Sequence, residues 1–188
     1  MSKFSKFFCC LFFVSITTLA EPIPHEAESM YKIQGSTAEE LRTEMNHKGI
    51  YDQDRRYDAD TRWYIKWRYD YNEGRDQCSL SKVQVTVDVT YYLPLWVDYK
   101  NADPALQNRW NDYMTNLRTH EIGHAENGKN AAVEIETTLL NFPVMENCDE
   151  LGKAANAKAN SIVAKYNAED IQYDSETKHG KIQGAVFP

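Results

Sequence analysis

His120-Glu121-Ile122-Gly123-His124 reads H-E-x-x-H. On a helix, residues four apart share a face about one turn apart, so both imidazoles can reach one metal ion. Zinc accepts such nitrogen ligands, and a catalytic zinc keeps one coordination position for water. Glu121, next to the first histidine, is placed to take a proton from that water. The pattern predicts metal-assisted hydrolysis, with His120 and His124 as ligands, Zn2+ as cofactor and Glu121 as general base. A shuffled chain of this composition would contain the pattern with a probability of roughly 0.01, so its setting has to carry weight too.

The setting is a helix with one apolar side. Leu106, Trp110, Tyr113 and Leu117 follow 4-3-4 spacing, and His120 and His124 continue the stripe at the next +3 and +4 positions. Such a stripe marks the buried side, so both histidines point inward. The bland alternative is a helix carrying two packed or partly solvated histidines. Asp103-Pro104 starts this helix, with Asp as N-cap and Pro in the first position. The pattern runs to about Asn141 and stops before Pro143, with Gly128 as a possible bend. Asn147 with Glu150 three residues on resembles a capping box and opens a second helix to about Asn167. From Ile171 to Pro188 the tail reads as irregular.

Two strands precede the helices. Trp63, Ile65, Trp67, Tyr69 and Tyr71 alternate with polar or charged residues, as do Val83, Val85, Val87, Val89 and Tyr91. Period-two alternation rich in aromatic and β-branched residues marks half-buried strands. Asn72 to Asp76 is a turn, so residues 61–93 predict an antiparallel hairpin. Its aromatic stripe supplies core, with a carbohydrate or peptide platform as the alternative. Further upstream, Glu21 to Met30 reads as a flexible lead-in and Tyr31 to Gly35 as a short strand. A short helix capped by Ser36 or Thr37 follows, ending near His47-Lys48-Gly49. Asp52 to Thr61 reads as a solvated loop. Its aspartates (Asp52, Asp54, Asp58, Asp60) lack the EF-hand spacing of a calcium site.

Residues 1–20 have the form of a cleaved secretory signal. Lys3 and Lys6 precede an apolar run from Phe7 to Val14, and Thr18-Leu19-Ala20 supplies small residues at −3 and −1. Cys9 and Cys10 lack a lipoprotein cleavage context. Residues 21–188 then form a single domain of a size that supports a real core. Without Lys3 and Lys6 the net charge falls from −7 to −9. That argues against nucleic acid or an anionic membrane surface as a partner, and no later segment is apolar enough to span a bilayer. Cys78 and Cys148 remain, and two cysteines in an exported protein most simply form one disulfide. Free or metal-binding thiols are the alternative.

Two histidines do not complete a catalytic zinc site. The position six residues beyond His124 is Asn130, which excludes the metzincin arrangement. Glu146 and Glu150 are acidic candidates on a later helix, while Glu134 and Glu136 lie too far along the first. Of the other histidines, His25 falls in the lead-in and His47 at a helix end, which leaves His179 in the tail.

The chain resembles the DUF922 family of bacterial proteins, described as predicted secreted zinc-dependent proteases. Arg118-Thr119-His120-Glu121-x-x-His124, Tyr173-Asp174-x-x-Thr177-x-His179-Gly180 and Gln183-Gly184-Ala185 carry the resemblance. It extends to Gly35-Ser36-Thr37-Ala38-Glu39-Glu40-Leu41, to Thr61-Arg62-Trp63 and to Leu93-Pro94. The resemblance implies that Tyr173, Asp174, Thr177 and His179 belong to the family's motif. His179 then becomes the expected third ligand, since three-histidine zinc sites are well precedented. Asp174 would orient a ligand histidine from behind. Tyr173 would donate a hydrogen bond to the oxyanion of a tetrahedral intermediate.

The combined expectation is an α+β, zincin-like metallopeptidase domain. A small antiparallel sheet packs on the long H-E-x-x-H helix and on a second C-terminal helix. The protein would be secreted or periplasmic and would act on a peptide or protein substrate. The alternative is a non-catalytic envelope protein, binding or structural, whose metal stabilises the fold.

Overall fold

The computed structural model describes residues 22–52 and 54–187, with the side chain of residue 52 left undescribed. The predicted signal segment, with Cys9 and Cys10, lies outside the described residues. The order of elements is β1 (Ile23–Ile33), α1 (Ala38–Lys48), β2 (Ile50–Asp52), β3 (Arg55–Tyr57), β4 (Asp60–Glu73), β5 (Cys78–Trp96), α2 (Pro104–Leu140) and α3 (Cys148–Thr177). Short 3-10 turns at Tyr99–Asn101 and Lys181–Gln183 complete it. Among the described residues, no helix is long and apolar enough to cross a membrane.

β4 and β5 pair antiparallel, with Trp63 opposite Val89 and Trp67 opposite Val85. Val83, Val85, Val87, Val89, Tyr91 and Leu93 are buried, and Trp63, Ile65, Trp67 and Tyr69 pack against them. α2 lies across β5 and β4 and turns Leu106, Trp110, Tyr113 and Leu117 into the same core. The fold is thus α+β, but the sheet is mixed where an antiparallel one was expected. β1 runs parallel to β5, in the order β1-β5-β4.

That third strand corrects the reading of Glu21 to Met30 as a flexible lead-in. Its residues are exposed from Ile23 to Met30, so no apolar alternation announces it. Pro24 is tolerated because β1 is an edge strand. Charged contacts hold it to α2. Arg118 grips Glu28 with two nitrogens at 2.5 and 3.2 Å, and Lys129 Nζ lies 2.6 Å from Glu26.

The segment read as a solvated loop contains strands. β2 and β3 form a two-stranded ladder, with Ile50 opposite Tyr57. Asp58 accepts hydrogen bonds from the Arg42 guanidinium and, at 2.6 Å, from the Tyr113 hydroxyl. An arginine already compensates this carboxylate, so it does not serve a calcium site.

The helix starts follow the sequence. Thr37 Oγ1 accepts from the Glu40 amide, Asp103 Oδ1 from Ala105 and Asn147 Oδ1 from Glu150. α2 runs unbroken through Gly128, where a β-carbon would overlap the Trp63 ring; the glycine serves close approach to β4. α3 differs most from expectation. It extends beyond Asn167 to Thr177, which puts Asp170, Tyr173, Asp174 and Thr177 on a helix and not in an irregular tail. Cys78 and Cys148 form the disulfide, 70 residues apart in sequence, and Met145 pairs its backbone with Cys78 beside it.

Candidate metal centre

α2 and α3 are antiparallel neighbours, and the H-E-x-x-H turn of α2 faces the last two turns of α3. Asp170, Tyr173, Asp174 and Thr177 fall at i, i+3, i+4 and i+7, one face of a helix. This face is polar, yet it is the side turned inward. Tyr173 stacks on the His120 ring at 5.0 Å between centroids and meets His124 edge-on at 5.1 Å. The stack needs Gly123, since a β-carbon there would overlap the Tyr173 hydroxyl. Gly123 is therefore the one residue type that admits this ring.

Three ligand atoms converge. His120 Nε2 and His124 Nε2 are 3.3 Å apart, and Asp174 Oδ1 lies 3.1 Å from the first and 3.3 Å from the second. Tetrahedral zinc bonds of about 2.0–2.1 Å imply edges of about 3.3–3.4 Å between ligand atoms. The three observed edges are close to that length, and two imidazoles with a carboxylate are a donor set zinc accepts. His120, His124 and Asp174 could therefore hold a metal ion.

The expected roles of Asp174 and His179 differ from this arrangement. Asp174, expected behind a histidine, is in the converging group, whereas His179 stands just outside it. The reason is the length of α3. The helix carries Asp174 to the two imidazoles, and the chain then turns through Lys178 and His179 with positive φ. His179 Nδ1 rests 3.2 Å from Asp174 Oδ1, and its Nε2 is 2.8 Å from Arg55 on β3. The small β2–β3 ladder thereby reaches the rim of the site. Glu146 precedes α3 and Glu150 opens it, far along the helix from the imidazoles.

Glu121 is 4 % exposed, and its Oε2 accepts the Thr61 hydroxyl at 2.7 Å. Burial raises its pKa, against the Thr61 hydrogen bond and the neighbouring histidines. Burial also opposes a charge on His124, but hydrogen bonds with Asp170 and Asp174 and the charge of Glu121 prevail, so its pKa is pushed up to about 10. Asp174 loses solvation too, yet the two imidazoles hold its carboxyl well below the usual carboxylate range.

The far sides of the ligand rings are also engaged. His120 Nδ1 is 3.0 Å from Gln183 Oε1, and Gln183 Nε2 donates to the Tyr173 hydroxyl at 3.0 Å. His124 Nδ1 is 3.0 Å from Asp170 Oδ1. Asp170 has no counterpart among the residues expected from sequence. Its signal is the polar helical period it shares with Tyr173, Asp174 and Thr177, which an apolar count passes over.

A family model described as a bacterial protein of unknown function (DUF922) matches residues 28–180. No curated protein matches the chain, and no solved structure does. The matched span runs from Glu28, the partner of Arg118, through both histidines to the turn after His179. With most of its length matched, and with the whole converging group inside the match, the chain belongs to the DUF922 family.

Proposed function

We propose that this protein is an exported zinc-dependent peptidase with a zincin-like site. The observation that carries the reading is the convergence of His120, His124 and Asp174 beside a buried Glu121 on the same helix turn. Export is supported by the Cys78–Cys148 disulfide, a bond of oxidising compartments, and by the signal-like first twenty residues of the sequence. Zinc held by the three ligands would supply Lewis acidity to a carbonyl oxygen and make a water acidic near neutral pH. Glu121 would serve as general base, taking the proton of an attacking water and returning it to the leaving amine. The Thr61 hydroxyl fixes one oxygen of Glu121, and burial keeps this carboxyl ready to hold a proton between the two steps. Tyr173 braces His120, and its hydroxyl would have to exchange its long 3.4 Å bond to the His120 carbonyl to serve a developing oxyanion. β4 ends the sheet order, and Thr61 at its start touches Glu121. An extended peptide adding to that edge would run past the site.

A second reading, a non-catalytic protein with a structural metal, is favoured by one contact. His179 Nδ1 sits 3.2 Å from Asp174 Oδ1, just beside the converging group, where a bound metal could draw it in as a further ligand. Closed sites are structural and open ones catalytic.

Zinc analysis of the purified protein and a peptide-library assay separate these readings. The peptidase reading expects zinc in the wild type and none in His120→Ala. It expects Glu121→Gln to keep its zinc and lose about 10²- to 10⁴-fold in turnover. A zinc-loaded wild type that cleaves nothing, and melts when chelated, supports the structural reading instead.

A further inference from the structure

We infer that Asp170 is a positioning residue that sets the orientation and donor strength of His124 as a ligand. The inference rests on the metal-site reading above and concerns a residue outside the ligand set. An imidazole that ligates through one nitrogen presents an N–H at the other, and the partner of that N–H fixes the tautomer and ring plane. For His124 the partner is a carboxylate, Asp170 Oδ1 at 3.0 Å; for His120 it is a neutral amide, Gln183 Oε1 at 3.0 Å. A carboxylate makes the ring behind it more basic than an amide does, so the two histidines are unequal ligands.

The rest of the Asp170 environment fixes the carboxylate in place. Asn127 Nδ2, one turn along α2 from His124, donates to Oδ1 at 2.7 Å, and Trp63 Nε1 on β4 donates to Oδ2 at 2.7 Å. Both donors are neutral, and His124 is the one ionisable group paired with Asp170 among the described residues. The carboxylate is thus held rigidly from two further elements with its charge directed at His124. The Asp170 side chain is 19 % exposed, so little water competes for that charge.

The test is zinc affinity by competition with a chromophoric chelator, together with the visible spectrum of the cobalt(II)-loaded protein. Asp170→Asn, which keeps an acceptor for His124 but removes the charge, is expected to lose about 10-fold in zinc affinity and to shift the cobalt bands. Asp170→Ala is expected to approach a 100-fold loss. Trp63→Phe removes one donor to Asp170 but spares the charge, and is expected to lose less zinc affinity than Asp170→Asn. If Asp170→Ala does not fold, Asp170→Asn decides. A wild-type spectrum and affinity in Asp170→Asn would overturn the inference alone, as would an equal loss in Trp63→Phe. A wild type that takes up neither metal would overturn the metal reading with it.

Discussion

The helix pair α2–α3 is held differently at its two ends. At one end Ala131, Ala132, Ile135 and Leu139 of α2 and Ala155, Ala159 and Ile162 of α3 lie buried in one core cluster, with the Cys78–Cys148 disulfide at the start of α3. At the other end His120 and His124 meet Asp170, Tyr173, Asp174 and Thr177. Small apolar side chains let the first pair of faces close on each other, and the hydrophobic effect rewards the closure whatever the geometry of any single group. The second pair buries charges and hydrogen-bonding groups, which are stabilising only when each finds its partner. One end therefore carries stability and the other the candidate metal centre. A site of this kind can exist at a helix interface because the far end keeps the helices together.

The largest effect that would test this division is loss of the disulfide. Replacing Cys78 and Cys148 together by Ala is expected to cost about 4 kcal/mol, read as the midpoint of urea unfolding. Zinc affinity of the molecules that remain folded should stay at the wild-type value. A parallel loss of affinity would show that the apolar end also shapes the site. Gly123→Ala comes next. Its methyl group displaces the Tyr173 ring, an overpacking expected to cost about 1–3 kcal/mol, and it should weaken zinc binding as well, since the same ring braces His120. The smallest stability effect is expected from Asp174→Asn. The Asp174 side chain is 31 % exposed, so its ion pairs are partly screened and the metal-free protein should shift by under about 1 kcal/mol. Zinc binding, by contrast, should be lost, and added zinc should raise the melting temperature of the wild type but not of this variant. A large destabilisation of metal-free Asp174→Asn would erase the contrast between the ends.

The same contrast explains what was legible in the sequence. Capped starts at Thr37, Asp103 and Asn147, the valine strand and the inward stripe of α2 follow from periods that apolar residues carry. The last turns of α3 have the helical period too, but polar residues carry it, so Asp174 and His179 fell into what read as an irregular tail. Asp170 was missed for the same reason. β1 was illegible for another: as an exposed edge strand it owes its conformation to pairing with β5, sixty-odd residues away, and to the Glu28–Arg118 contact, neither of which leaves a local pattern. The hydrogen bond between Thr61 and Glu121 is equally non-local, joining a strand start to a helix middle.

α3 is a single unbroken helix from Cys148 to Thr177, tied by a covalent bond at its first residue. From there to Asp174 is about seven turns, and each residue advances the helix by about 100°. The helix thus acts as a phase standard as well as a spacer. Removing one residue anywhere along it would shorten it by only about 1.5 Å but would rotate Asp170 and Asp174 about a quarter-turn away from the imidazoles. Removing seven, two near-whole turns, would restore the direction of those carboxylates while drawing them about 10 Å short of the imidazoles. Length changes within α3 are therefore constrained by angle and by distance together.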